Sequence, residues 1–175
     1  QFRDIENINA YHELVEVSGT REREELISCF QYKSRDNART PMQWDDSPHA
    51  GFTEGKPWLA VNPNYKKINA KAEMENPNSV FHYYKKLIAL RKKYDIIVYG
   101  SYELLLPEDE NLYVYTRSLE DEKLLVMCNF TKENRAIEIP QEFTKADGKV
   151  LISNYGRDNG EIKNLKPYEA LVLIV

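Results

Sequence analysis

The densest hydrogen-bonding chemistry lies in Ser34-Arg35-Asp36-Asn37-Ala38-Arg39-Thr40-Pro41-Met42-Gln43-Trp44-Asp45-Asp46. Two arginines, three acids, two amides and an indole share these thirteen positions. Guanidinium and amide groups each carry planar, paired hydrogen-bonding atoms, which suits a polyhydroxyl ligand presenting neighbouring oxygens. Pro41 fixes its own φ and pushes Thr40 towards extended backbone, so the stretch is predicted to be an ordered loop rather than a helical turn. The plain alternative is a solvated loop with scattered charge, the usual setting of such residues.

Two helices are predicted to lead into this loop. The first runs from Asp4 to Val17 with Ile5, Ile8, Leu14 and Val15 along one side, and Ser18-Gly19 stops it. The second starts at Thr20, with Glu22 and Glu24 in its acidic first turns and Leu26, Ile27, Cys29 and Phe30 as its apolar part. Residues 47–78 read as a long loop, broken by Pro48, Pro57, Pro63 and Pro77 and packed through Phe52, Trp58 and Tyr65. His12 and His49 have no second ligand at metal spacing. Ser79 is then an N-cap for a helix over Val80–Tyr94, whose stripe of Phe81, Tyr84, Leu87, Ile88 and Arg91 reads as core.

After Asp95 the hydrophobic period changes to two. Strands are predicted at Tyr102–Leu106, Leu112–Arg117, Lys123–Phe130, Arg135–Ile139, Val150–Ser153 and Ala170–Val175, with turns at Asn111, Asp121-Glu122 and Asp158-Asn159-Gly160. Several short strands at this spacing give an antiparallel β-sandwich. The expected division is therefore 1–95 and 96–175.

Composition narrows the function classes. A net charge of −4 over 175 residues suggests neither nucleic acid nor an anionic membrane as partner. No apolar run has the length to span a bilayer, and the start lacks a signal-peptide pattern, so a cytoplasmic setting is expected. Cys29 and Cys128, the two cysteines, are far apart and read as buried thiols rather than a disulfide or metal site.

Arg39-Thr-Pro-Met-Gln-Trp44-Asp45, preceded by Ser34-Arg-Asp-Asn37 and followed by His49-Ala-Gly-Phe-Thr53, closely resembles the α-glucosidase branch of glycoside hydrolase family 13. That branch includes oligo-1,6-glucosidases, dextran glucosidases and sucrose isomerases. The likeness continues through Pro57-Trp58, Val61-Asn-Pro-Asn-Tyr65, Ile68-Asn69, Phe81-His-Tyr-Tyr84 and Val98-Tyr-Gly-Ser-Tyr102. It spans the chain from Arg3-Asp4-Ile5-Glu6 to Pro167-Tyr168-Glu169-Ala170.

The resemblance implies an α+β fragment: the helical and loop tail of a (β/α)8 barrel followed by an antiparallel β-sandwich C-terminal domain. The helix over Val80–Tyr94 would be the last barrel helix. The nucleophile Asp, the acid/base Glu and the third catalytic Asp of the family belong to the missing N-terminal barrel. No catalytic residue, metal ligand or cofactor is therefore assigned in this chain, and by itself it is expected to be inactive.

Arg39 is expected to reach the sugar at subsite −1 and to pair with an acid on the barrel. Arg35 is a weaker substrate-binding candidate, since it and Asp36 fit a loop-bracing ion pair equally well. Gln43 and Asp45 are expected to support the loop through its backbone. Trp44 either stacks on sugar or, the favoured reading, wedges the loop against its scaffold.

The leading function is a portion of a retaining α-glucosidase acting on an oligosaccharide with α-1,6 linkages. Two alternatives stand beside it. One is the tail of a sucrose isomerase or trehalulose synthase. The other is a non-catalytic carbohydrate-binding or structural β-sandwich, which should expose a flat row of aromatics such as Tyr102, Tyr113 and Tyr115. The barrel-facing side of the Val80–Tyr94 helix is expected to be hidden by the preceding loop or by self-association.

Overall fold

The computed structural model describes residues 3–144, 148–158 and 162–175. The chain divides into two compact units, Gln1–His82 and Tyr83–Val175. Most of the long helix that precedes the strands falls in the second unit.

In the first unit Asp4 caps α1 (Ile5–Tyr11), its carboxylate accepting the Glu6 N–H. The helix widens into a π-helical segment over His12–Val17 and ends at Gly19, whose φ of 59° needs no side chain. The next helix, α2 (Arg23–Lys33), starts later than Thr20. Thr20 Oγ1 engages Ser18 Oγ at 2.9 Å, and the Arg21 N–H returns to the Leu14 carbonyl at 3.1 Å, so helical geometry cannot begin before Glu22. Of its apolar residues only Phe30 is buried. Cys29 is exposed, which corrects the expectation of a buried thiol, while Cys128 is half-buried and burial pushes its thiol up.

Residues 47–78 hold more regular structure than expected. Short 3-10 turns occupy Pro48–Gly51 and Pro63–Lys66, and a helix, α3, spans Ala70–Glu75. Asn69 caps α3 by accepting the Ala72 N–H at 2.9 Å, and Ala-Lys-Ala-Glu-Met-Glu are strong helix formers that the surrounding prolines disguised. The long helix α4 covers Val80–Lys93, with Ser79 Oγ accepting the His82 N–H. Its apolar stripe is not core within this chain. Phe81, Tyr84, Leu87 and Ile88 are all exposed, so the expected cover over that face is absent among the described residues.

In the second unit the short helix α5 (Ile96–Tyr99) is capped by Arg117, which donates to the carbonyls of Ile96, Val98 and Gly100 at 3.1, 3.3 and 2.7 Å. The strands are β1 (Ser101–Leu104), β2 (Leu112–Leu119), β3 (Glu122–Asn129), β4 (Arg135–Ala136), β5 (Lys149–Ser153), β6 (Asn164–Leu165) and β7 (Ala170–Ile174). Five form an antiparallel sheet in the order β1-β2-β3-β7-β5, and β4 pairs with β6 in a second sheet.

Alternation puts Leu112, Val114, Leu125, Met127, Leu171 and Leu173 on one face, against Ile137, Phe143 and Leu165 from the β4–β6 side. This is the β-sandwich core. Leu124 on the opposite face is also buried, as the nearly continuous apolar run of β3 requires for a strand flanked by β2 and β7.

Some details differ from the periodicity. The strand over Arg135–Ile139 shortens to two residues, and β6 has no periodic signal because it is two residues long. Within the turn at Asp158-Asn159-Gly160, Asn159 and Gly160 lie outside the described residues. Tyr102, Tyr113 and Tyr115 do cluster, with Tyr102 and Tyr113 hydroxyls 3.1 Å apart. Their rings are tilted by 39° and 50° against Tyr115, so they pack on one another and offer no flat platform.

Candidate functional site

α2 ends at Ser34, whose hydroxyl accepts the Asp36 N–H at 3.1 Å and starts a 3-10 turn over Arg35–Ala38. Two carboxylates then lock this turn to the start of α1 in a crossed arrangement. Asp4, almost fully buried, accepts from the Arg35 guanidinium at 2.7 Å and from the Arg35 N–H at 3.1 Å. Asp36, also buried, accepts the N–H groups of Arg3 and Asp4 at 2.7 and 3.1 Å with one oxygen. Its other oxygen takes Arg39 Nη2 at 2.6 Å.

Arg35 therefore pairs with Asp4 and not with its neighbour Asp36. Arg39 has a carboxylate partner, Asp36, inside its own loop. Both follow from the 3-10 turn, which places residue 39 one turn above residue 36 and turns residue 35 towards α1.

The Arg35 guanidinium holds the Asp4 carboxyl down to about 2, against an ordinary 3.8. A depressed carboxylate contributes stability that is complete above its unfolded value and is lost as pH falls through its folded value. Acid unfolding of the first unit, followed by circular dichroism from pH 4 to pH 2, is thus expected to track Asp4. Asp4→Asn should flatten the curve in that window. The Asp36 carboxyl is lowered too, first by the Arg3 N–H and then by the Asp4 N–H and Arg39.

Beyond Pro41, which is buried, backbone bonds brace the loop. The Trp44 N–H bonds the Ala50 carbonyl at 2.9 Å, Ala70 N–H bonds Gln43 O at 2.9 Å, and Lys71 N–H bonds Trp44 O at 3.0 Å. The Gln43 amide donates to the Ile68 carbonyl. The Asp45 carboxylate accepts from the hydroxyl and N–H of Ser47, which lower its carboxyl in that order. Trp44 as a residue is 54% exposed, and its backbone N–H and carbonyl both bond across the loop.

Gly51, at φ 64°, lies where an added Cβ would stand 2.8 Å from Asp45 Oδ1. Gly51→Ala is expected to cost about 1–2 kcal/mol from its left-handed backbone alone, with the Asp45 contact adding to it. Thermal unfolding of the chain measures this.

The structure brings a second indole to Arg39. The guanidinium carbon lies 5.7 Å from the ring centroid of Trp58, within cation–π range. Asp36 takes one Nη2 bond, and Nε and Nη1 have no acceptor among the described residues. A planar fork, fixed on one edge by a carboxylate and on one face by an indole, presents its remaining donors in a defined plane. Such a group can hold adjacent hydroxyls of a sugar ring. Trp58 and Asp4 were absent from the candidates read off the sequence. Each stands in a quoted motif, but nothing local ties residue 58 or residue 4 to residues 35–39.

Among the described residues no cluster of His, Cys, Asp and Glu is placed to hold a metal ion, and no helix is long and apolar enough to cross a membrane.

Two family models match in sequence order: the α-amylase catalytic domain over residues 5–100 and the α-amylase SusG C-terminal domain over residues 112–172. Together they define the class, the tail of a barrel catalytic domain followed by its C-terminal β-domain. The chain belongs to the α-amylase family, glycoside hydrolase family 13. It is 53% identical to the oligo-1,6-glucosidase of Parageobacillus thermoglucosidasius over 98% of its own length and 31% of that protein. The crystal structure of Bacillus licheniformis trehalose-6-phosphate hydrolase matches with a TM-score of 0.88 at 43% identity, covering 99% of this chain and 32% of that one. Trehalulose synthase from Pseudomonas mesoacidophila matches with a TM-score of 0.88 at 38% identity, covering 99% and 31%. The chain thus spans about a third of the length of these relatives.

Proposed function

We propose that the chain is the C-terminal portion of a retaining α-glucosidase that hydrolyses α-1,6-glucosidic bonds in isomaltose and isomalto-oligosaccharides. In this reading residues 1–95 close the catalytic barrel and supply its arginine loop, and residues 96–175 form a stabilising β-domain. The observation that carries it is the Arg39 guanidinium, held by Asp36 and Trp58 with donors left over for a neutral ligand. Asp36 offsets the charge of the fork, which suits hydroxyls better than an anion.

In a retaining mechanism one carboxylate attacks the anomeric carbon while another protonates the leaving oxygen and later activates water. Both belong to the part of the enzyme outside this chain. Arg39 contributes position: hydrogen bonds to the terminal glucose fix the ring for attack. Arg35 and Asp4 act behind it, anchoring the turn that aims Arg39.

The test is glucose release from isomaltose by this chain joined to its barrel and by the 175-residue chain alone. Turnover is expected only in the first, and release by the second would overturn the reading. Assay with sucrose separates hydrolysis, which yields glucose and fructose, from isomerisation. Within the active enzyme, Asp36→Ala should release both Arg39 and the start of α1. It is expected to lower kcat/KM roughly 10–100-fold, the scale of a misplacement of about 1 Å.

A further inference from the structure

In the second unit the face of β2 opposite Leu112 and Val114 carries three tyrosines in mutual contact. Tyr113 and Tyr115 alternate along β2, and Tyr102 reaches them from the edge strand β1. The Tyr115 ring lies 5.1 Å from that of Tyr102 and 5.2 Å from that of Tyr113, centroid to centroid. The Tyr102 and Tyr113 hydroxyls meet at 3.1 Å. Both of these residues are open to solvent, at 50% and 41%, while Tyr115 is half-buried. Tyr32, Tyr84, Tyr99, Tyr155 and Tyr168 are exposed too, but among the described residues none of them has its ring against another tyrosine.

We propose that Tyr102 and Tyr113 are a site of oxidative cross-linking, joined ring to ring as dityrosine when the protein meets a one-electron oxidant. Each phenol gives up one electron and its hydroxyl proton, and two equivalents of oxidant are reduced. In the two phenoxyl radicals the unpaired electron is shared between the oxygen and the ring carbons ortho and para to it. The para carbon carries the side chain, so the new carbon–carbon bond forms between two ortho carbons. Each ring then passes its ortho hydrogen to oxygen as a proton, through water, and becomes a phenol again. The net change is the loss of two hydrogen atoms, as two electrons to the oxidant and two protons to water. The geometry supplies what this coupling needs. Touching hydroxyls bring the adjacent ortho carbons within reach of a rotation about the side-chain bonds, and partners held together need no bimolecular encounter. The Tyr113 hydroxyl pushes the Tyr102 phenol up, and the same hydrogen bond gives a departing hydroxyl proton an acceptor. The product ties the edge strand β1 covalently to β2.

The experiment exposes the 175-residue chain, diluted to suppress contact between chains, to photogenerated tris(bipyridyl)ruthenium(III). Dityrosine fluorescence is expected, with an intact mass lower by two hydrogens. Proteolysis after Glu103 and Glu110 separates Tyr102 from Tyr113 in the untreated chain, and after treatment the two peptides should stay joined. Tyr102→Phe and Tyr113→Phe keep the ring and lose the hydroxyl. Each should lower the yield roughly tenfold or more, since the remaining tyrosines must find partners by collision. Both sites are exposed, so both variants should keep the parental unfolding temperature, which is measured alongside. Tyr32→Phe, at an exposed tyrosine with no tyrosine ring against it among the described residues, should leave the yield unchanged. A joined product that survived in either Tyr102→Phe or Tyr113→Phe would overturn the proposal. So would coupling found only between separate chains, or oxygen added at Cys128 with no peptides joined. None of these results bears on the hydrolase reading, since no turnover is measured.

Discussion

Arg39→Ala in the full-length enzyme is expected to lower kcat/KM for isomaltose by about 10²–10³-fold, the usual loss when a charged donor aimed at the reacting sugar is removed. The unfolding temperature should hardly move. The Arg39 side chain is 41% exposed, and its pair with Asp36 is of the partly solvated kind that contributes little to stability. Loss of activity without loss of stability is the signature of a ligand-holding group. Arg39→Lys should recover little, because an ammonium is a point charge without the planar fork that Asp36 and Trp58 orient. If Arg39→Ala turned over isomaltose at the parental rate, Arg39 would be only a brace for its loop.

The second large effect lies in the β-domain. Glu169 is fully buried, with both carboxylate oxygens occupied. Arg157 reaches both, the Lys166 N–H donates at 2.7 Å, and Arg157 Nη2 also donates to the Asn164 carbonyl at 2.8 Å. This network ties the approach to β7 to the start of β6. Burial pushes the Glu169 carboxyl up, but Arg157 and the Lys166 N–H together outweigh it and hold the group below its ordinary value.

Arg157→Met would strand a buried carboxylate, at a cost of about 3–5 kcal/mol. For a unit of this size that lowers the melting temperature by more than ~10 °C. The pH dependence identifies the cause. In the parent, the stability due to Glu169 is present above its unfolded value and lost as pH falls through its lower folded value. In Arg157→Met the carboxyl rises instead and takes up a proton readily. The gap between the two proteins should therefore be widest near pH 7 and narrow towards pH 4. A gap that stayed constant would point to lost packing, not to a stranded charge. Replacing the pair together, with Arg157→Met and Glu169→Leu, should restore much of the loss, because two apolar groups leave no charge unsatisfied.

Much of this architecture was legible from local chemistry. The change of period after Asp95 announced the sheet, and β2, β3 and β7 appear where apolar residues alternate or run together. The elements that escaped were those whose signal is short. α3 is a six-residue helix between prolines, and β6 is a two-residue strand. Exposure was also misjudged where an apolar stripe was equated with core. Tyr84, Leu87 and Ile88 follow helical spacing faithfully, yet spacing says only that they share a face and not that anything covers it.

The amino-acid sequence alone determined the family, the order of helical tail and β-domain, and the loop from Ser34 to Asp46 as the place where sugar chemistry could reside. Those are properties of residue type and spacing, which need no third dimension. Only the tertiary structure decided which acid each arginine meets. The sequence places Asp36 next to Arg35, while folding gives Arg35 to Asp4, thirty-one residues away, and leaves Asp36 to Arg39. Likewise it set Trp58 beneath the Arg39 guanidinium. The reason is physical. Ion pairs and stacking act over a few ångströms of space, and the distance between two side chains is fixed by how the intervening backbone turns, which separation along the chain does not encode.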